Sequence, residues 1–366
     1  MSGTSLDGVD GALVEFPIDF SSGHLETLAS AYIAFPADLR SQLLALQASC
    51  DNEIHSEALA AHSLAQLYEQ CVKQLLAKCA LHGDAICAIG AHGQTIRHKP
   101  ELGYTRQLNN PALLAELTGI DVVADFRSRD IAAGGHGAPL VPAFHKATFG
   151  KADETRVVVN IGGISNISVL HADGNVIGFD TGPGNVLMDI WIGQHLGRTY
   201  DSDGTWASSG TVVPALLDAL RSDPFFTKAP PKSTGRDLFH LAWLNTKLAP
   251  FSSIAPVDVQ ATLAALTATT IADAIQSYAA GASATYVCGG GAHNTYLMQL
   301  LKQALQQHGL SCSLQSTDTL GVAPNHVEAL AFAWLAHRFT QGKSGNLAEV
   351  TGAKGPRILG ALYPGY

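Results

Sequence analysis

Short apolar runs in this chain end repeatedly in tight clusters of glycine and small polar residues, and several lead into helical patterns. The plainest case is Gly178-Phe179-Asp180-Thr181-Gly182-Pro183-Gly184-Asn185. It reads as a short strand ending in an aspartate, a glycine-rich turn, and a helix over Val186-Leu187-Met188-Asp189-Ile190. Strands alternating with helices in this way restrict the chain to the α/β class. In an open α/β sheet, ligands bind beyond the carboxyl ends of the strands. A carboxylate there can take a proton from a hydroxyl or water, and glycines beside it let backbone approach a phosphate. An Asx-type turn that merely closes the strand is the competing reading.

The 366 residues are 46% hydrophobic and 14% charged, enough for a large core in two domains or one two-lobed domain. The balance of 22 Lys+Arg against 31 Asp+Glu, without a basic run, excludes nucleic acid as the main partner. Cys50, Cys71, Cys79, Cys87, Cys288 and Cys312 form no CxxC pair and no metal-ligand spacing. They are expected to be buried thiols of a reducing compartment. No stretch approaches the roughly 18 apolar residues of a membrane span, and no signal-peptide pattern opens the chain. The expectation is a soluble, cytoplasmic protein with no membrane partner.

The opening Met1-Ser2-Gly3-Thr4-Ser5-Leu6-Asp7-Gly8-Val9-Asp10 precedes the apolar Ala12-Leu13-Val14. Such a loop suits N–H groups and hydroxyls that face an anion, or a plain hairpin turn. Leu64, Leu67, Cys71 and Leu75 recur at helical spacing within Ser56 to Cys79. Ala85 to Gly90 reads as a buried strand running into the polar cluster Ala91-His92-Gly93-Gln94-Thr95-Ile96-Arg97-His98. Either histidine could equally sit in a surface loop. After a helix over Pro111 to Thr118, the strand Asp121 to Ala124 meets Asp125-Phe126-Arg127-Ser128-Arg129-Asp130. The two arginines there suit a carboxylate or phosphate, or they pair with the neighbouring aspartates.

A new unit is expected near Lys151. Arg156 to Asn160 and Ile167 to Leu170 read as strands flanking Ile161-Gly162-Gly163-Ile164-Ser165-Asn166. This repeats the grammar of the N-terminal opening, as an internal duplication or as chance. Tyr200 to Ala207 and Pro230-Pro231-Lys232-Ser233-Thr234-Gly235-Arg236-Asp237 read as ordered loops. A helix from about Asp258 leads to the strand Thr285 to Cys288 and then to Gly289-Gly290-Gly291-Ala292-His293-Asn294. Glycines between strand and helix let a flat ring or sugar approach the backbone. Glu328 opens a last helix over Ala329 to Phe339.

No GxxxxGK[ST], HExxH or GxSxG motif occurs. Asp180-Thr181-Gly182 matches the catalytic triplet of aspartic proteases, but that chemistry needs two carboxylates sharing a proton and the triplet occurs once.

Taken together, Met1 to Asp10, His92 to His98, Asn160 to Gly163, Gly178 to Asn185, Pro231 to Arg236 and Cys288 to Gly291 resemble anhydro-N-acetylmuramic acid kinases, in order over essentially the whole chain. The resemblance implies a two-lobed, actin-like ATPase (ribonuclease H-like) fold, with mixed sheets flanked by helices and nucleotide in the inter-lobe cleft. Residues 1–125 with 328–366 are expected to form lobe I and residues 126–327 lobe II. The implied reaction takes 1,6-anhydro-N-acetylmuramic acid, ATP and water to N-acetylmuramic acid 6-phosphate and ADP, in bacterial cell-wall recycling. ATP and Mg²⁺ are the implied cofactors, and a homodimer the implied assembly.

By motif, Gly3, Thr4, Ser5, Leu6, Asp7, Gly8, Val9 and Asp10 would be the first phosphate loop. Asn160, Gly162 and Gly163 would form the second, with Gly182 and Gly184 beside it. Gly289, Gly290, Gly291 and Asn294 would take the adenosine. Asp180 would be the base acting on the attacking water, ionised at neutral pH if its pKa lies near the reference of about 3.9. Asp7 would orient a metal-bound water, and Gln94, Thr95, Arg127 and Glu328 would touch the sugar. Members of the family carry a strand ahead of the Met-Ser-Gly-Thr motif, and here the motif begins at Met1. Low stability or weak activity is the resulting expectation. A non-catalytic ATP- or sugar-binding protein of the same fold, or an inactive truncated kinase, is the rival reading.

Overall fold

The computed structural model describes residues 1–3, 6–17 and 25–366. They divide into two compact units, residues 1–148 with 326–366 and residues 149–325.

In the first unit, β1 (Gly8–Glu15) and β2 (Glu26–Ala34) form an antiparallel hairpin. The helix Glu53–Cys79 packs on this hairpin and buries Leu64, Leu67, Cys71 and Leu75, the spacing read from sequence. The approach is close enough that a side chain at Gly11 would collide with the Cys71 thiol. The strands β3 (Ile89–Ala91) and β6 (Val122–Ala124) run parallel, with Ala361–Tyr363 antiparallel on the other edge of β6. Between them in sequence, β4 (Gln94–Lys99) and β5 (Tyr104–Leu108) make a second hairpin.

The strand expected over Ala85 to Gly90 is shorter. Gly83–Ala85 forms a 3₁₀ turn whose bonds, Ala85 N–H to the His82 carbonyl and Ile86 N–H to the Gly83 carbonyl, occupy the backbone locally. The ladder therefore starts only at Ile89, where a partner strand is at hand. The helix Val327–Thr340 covers β3 so closely that Gly90 has no room for a side chain against the Phe332 carbonyl.

Residues 126–148, expected in the second lobe, belong to the first unit. The Phe126 ring lies 5.6 Å from that of Phe332, and Phe144 lies 6.2 Å from Trp334. The buried Asp130 accepts from Asn346 Nδ2 (2.7 Å), Thr351 Oγ1 (2.8 Å) and Gly137 N–H (2.8 Å). These bonds tie the loop Gly134-Gly135-His136-Gly137 to the C-terminal segment.

In the second unit, three consecutive valines give β7 (Arg156–Ile161) its β-branched, fully buried middle. A tight turn leads to β8 (Ile164–Leu170), which pairs with β9 (Val176–Pro183). The strands β10 (Ala284–Cys288) and β11 (Ser313–Ser316) add in parallel on the other side of β7. The order is β11-β10-β7-β8-β9, and β8 alone runs against the rest. This is the mixed sheet of a ribonuclease H-like lobe, the expected fold class. The helix Pro256–Tyr278 lies against β8 and β9 and buries Leu263, Leu266, Ile271 and Ile275. Midway along it, Thr267 Oγ1 donates to the carbonyls of Pro183 (3.0 Å) and Gly184 (2.9 Å), anchoring the glycine turn to the core.

Of the six thiols, only Cys71 and Cys288 are buried; Cys50 and Cys87 are exposed, against expectation, because neither lies in a core-facing helix or strand. No single helix among the described residues is long and apolar enough to cross a membrane.

Replacing Asp130 with Ala removes the acceptor of three donors in the interior of the first unit. The expected loss is about 3–5 kcal/mol, because the Gly137 N–H then lacks a partner and Asn346 Nδ2 and Thr351 Oγ1 keep only long contacts of 3.4 Å to the Gly355 and Leu347 carbonyls. Urea unfolding checks it, and a loss below about 1 kcal/mol would show that the network is not structural.

Candidate active site

One row of paired residues crosses four strands of the second unit. Cys288 on β10 pairs with Asn160 on β7, Asn160 with Asn166 on β8, and Asn166 with Asp180 on β9. Beyond this row β7, β9 and β10 reach their carboxyl ends, so three glycine clusters far apart in sequence gather at one edge of the sheet. These are Gly162-Gly163, Gly182 to Asn185 and Gly289 to Asn294.

The strand does not stop at Asp180, as expected, but runs on to Pro183. The register slips immediately after Asp180. Asn166 opposes Asp180 and Ser165 opposes Gly182, leaving Thr181 as the extra residue of a β-bulge. The Thr181 hydroxyl is held by Ser165 Oγ (2.6 Å) and donates to the Ser165 carbonyl (3.2 Å), which fixes the bulge. Gly182 has φ +146°, and a side chain there would lie 2.7 Å from the Phe226 ring.

The glycines separate into two kinds. Side chains at Gly184, Gly289 and Gly291 would collide with the Gly162 carbonyl, Asn160 Oδ1 and the Ile161 side chain, so these positions serve close packing against the end of β7 and its turn. At Gly162 and Gly290 a Cβ would have no protein atom nearer than 3.6 and 3.8 Å. Those two leave room for a ligand. The β7–β8 turn is tied down, since the Gly162 carbonyl accepts from Asn185 N–H (2.8 Å) and the Gly163 carbonyl from Gly184 (2.9 Å) and Val186 (3.0 Å). Asn294, expected among the adenosine contacts, is engaged as the N-cap of the helix Thr295–Gln307, where its Oδ1 accepts from Leu297 N–H (2.9 Å).

Asp180 is half-buried. Its Oδ2 accepts from Ser233 Oγ (3.0 Å) and Thr234 N–H (2.9 Å), and its own N–H donates to the Lys232 carbonyl (3.2 Å). Burial pushes the carboxyl up to about 6, opposed by those two donors and by the Lys232 charge. The ordinary carboxylate value expected from sequence is thus corrected upward, because the end of a packed strand desolvates the charged form. Ser233, Thr234 and Lys232 lie in a segment that reads in sequence as an ordered loop and as one of the stretches carrying the family resemblance, with no role of its own. Nothing local marks it as the partner of an aspartate more than fifty residues earlier.

In the first unit, Thr4 and Ser5 lie outside the described residues. The Met1 amino group donates to the Asp10 carbonyl (2.8 Å) and Asp10 N–H to the Met1 carbonyl (2.9 Å), closing the loop; within it the Gly3 carbonyl accepts from Leu6 N–H (3.3 Å). Leu6 and Val9 bury their side chains in the core, so only their backbones can serve a ligand. Gly8 has no room for a side chain against the Ile33 carbonyl. The Asp7 carbonyl accepts from Phe35 N–H (2.8 Å) and Tyr32 Oη (3.0 Å), while Asp7 itself is exposed. Asp10 is pushed up to about 6, mainly by burial, with Asp7 and Glu328 adding negative charge against the nearby N-terminus.

Arg127 donates from Nε and Nη2 to His92 Nε2 (3.3 and 2.9 Å) and from Nη1 to the Gly137 carbonyl (2.8 Å). His92 is therefore no surface residue; it is buried against Phe332 and kept neutral by burial and the adjacent guanidinium. Gln94 is buried with Oε1 lacking a protein partner, and Thr95 Oγ1 accepts from Gln107 Nε2 (3.1 Å).

No group of three or more His, Cys, Asp or Glu among the described residues is arranged to hold a metal ion. The negative charge that Asp7 and Glu328 add beside Asp10 would suit a cation held through water rather than in a protein cage.

Residues 1–365 match the family model described as anhydro-N-acetylmuramic acid kinase. Proteins of that name from Burkholderia orbicola and Cupriavidus pinatubonensis are each 58% identical to this chain, covering all of it and 95% and 97% of their own lengths. One from Paraburkholderia xenovorans is 56% identical, over 100% of this chain and 96% of its own. Among solved structures, an activator of 2-hydroxyisocaproyl-CoA dehydratase from Clostridium difficile with bound ADPNP is similar at a TM-score of 0.44. It is 10% identical and covers 86% of this chain and 90% of its own. That likeness is too remote to carry weight beside the sequence matches, which show that this chain belongs to the anhydro-N-acetylmuramic acid kinase family.

Proposed function

We propose that Asp180 is the general base of this kinase, acting on 1,6-anhydro-N-acetylmuramic acid, ATP and water. The carboxylate takes a proton from water as the water oxygen bonds to the anomeric carbon. The bond from that carbon to the bridging oxygen breaks, and its electron pair stays on O6. O6 attacks the γ-phosphorus in line, and ADP leaves. Phosphoryl transfer of this kind depends on positioning and charge stabilisation.

The observation that carries this reading is the placement of Asp180 at the carboxyl edge of the sheet, lifted to about 6. A base works best with a pKa near the operating pH, and at pH 7 roughly nine in ten such groups are ionised. Asn160, Gly162 and Gly163 are assigned to the phosphates, as are the loop residues Gly3, Leu6, Asp7, Gly8, Val9 and Asp10 with Thr4 and Ser5. Gly289, Gly290 and Gly291 are assigned to the adenosine, with Gly182 and Gly184 shaping the turn. Gln94, Thr95, Arg127 and Glu328 are assigned to the sugar. Mg²⁺, held by ATP and reached from Asp7 through water, would neutralise charge on the phosphates. The reading also takes the protein as a cytoplasmic homodimer serving cell-wall recycling, as the family resemblance implies.

Asp180→Asn is expected to lower turnover by about 10²–10⁴-fold with ATP affinity retained. An ADP-release assay beside calorimetry checks this, and turnover near the parent rate would remove Asp180 from the role. For the parent, kcat/KM should fall about tenfold per unit below pH 6, because the protonated base is inactive. Asp10 is also lifted to about 6, so the acid limb should persist in Asp10→Asn whatever the rate of that variant. Its disappearance there would assign it to Asp10.

A further inference from the structure

The strand β9 is the edge of its sheet, and its outer side has no strand neighbour among the described residues. The segment Lys232 to Thr234 lies along that side. Its Lys232 carbonyl accepts from Asp180 N–H (3.2 Å), as a ladder partner would. The Ser233 hydroxyl and the Thr234 N–H both go to the same carboxylate oxygen, Oδ2 (3.0 and 2.9 Å). Oδ1 takes no hydrogen bond from any described residue. The Lys232 ammonium is held in turn by the carbonyls of Phe225 (3.3 Å) and Phe226 (3.2 Å), and lies 4.8 Å from the Phe225 ring centre and 5.7 Å from that of Phe179. Two carbonyls and two ring faces keep this cation in a fixed place beside the strand.

Resting on the reading of Asp180 as the base, we infer that Lys232 to Thr234 is its orienting clamp, and that Oδ1 is the oxygen that receives the proton. Two donors on Oδ2 prevent the carboxylate from rotating and draw electron density to that oxygen. The unbonded Oδ1 is the more basic of the two and is left to accept from water. Lys232 adds a positive charge that favours the ionised form without bonding to the carboxylate, so the base stays charged where burial would otherwise neutralise it. Ser233 and Lys232 are thus positioning residues that act through Asp180.

The pH profile of kcat/KM separates this from a structural role. Ser233 is exposed, so Ser233→Ala leaves packing intact while removing one donor. Its acid limb should move upward by on the order of half to one pH unit, with the plateau within about tenfold of the parent. Lys232→Met should shift the limb the same way, and Ser233→Thr, which keeps the hydroxyl, should restore the parent profile. Asp180→Asn is measured alongside. If it keeps turnover, the base assignment falls and the clamp with it. If it loses turnover but the limb in either single variant is unmoved or lowered, the clamp alone is overturned.

Discussion

A carboxylate at the end of a packed strand resists ionisation, and the carboxyl edge of the second unit's sheet depends on how that resistance is managed. Desolvation lifts Asp180 to about 6, and one hydroxyl, one backbone N–H and a fixed ammonium hold it there and no higher. At this group the folded chain therefore holds more protons than the unfolded one between about pH 4 and 6, so the contribution of Asp180 to stability falls as pH rises through that window. The deep core of valines, leucines and phenylalanines around the sheet absorbs this cost.

The bulge at Thr181 is the other half of the same arrangement. It lets the ladder continue past Asp180 while turning the last residues of β9 toward the helix Val186–Leu196. Thr267, from the core helix, and the β7–β8 turn both fasten the backbone that follows. Gly182, Gly184, Gly289 and Gly291 stand where a neighbouring side chain or backbone leaves no room for a Cβ, while Gly162 and Gly290 are less crowded, with the nearest protein atom at 3.6 and 3.8 Å.

Much of this was legible in sequence because it is local. Helical spacing found the helix over the hairpin, and the valine run found β7. Strand-then-glycine grammar marked all three clusters at the carboxyl edge. What stayed hidden depends on partners distant in the chain. The strand over Ala85 to Gly90 was overcounted because ladder length is set by the short β6. Residues 126–148 belong with the first unit because Asp130 finds its partners at Asn346 and Thr351, which no local pattern announces. The sequence leaves a surface place open for His92 until Arg127 closes on it, and the helix cap made by Asn294, an expected adenosine contact, shows only in the fold. The lift of Asp180 was invisible for the same reason, since burial belongs to the fold and not to the motif.

The most direct test is a ¹³C NMR titration of the Asp180 side-chain carboxyl in the free protein, assigned by its absence from Asp180→Asn. A midpoint of about 6 is expected. A midpoint at the ordinary carboxylate value of about 3.9 would contradict the account, because the strand end would then not be lifting this carboxyl at all.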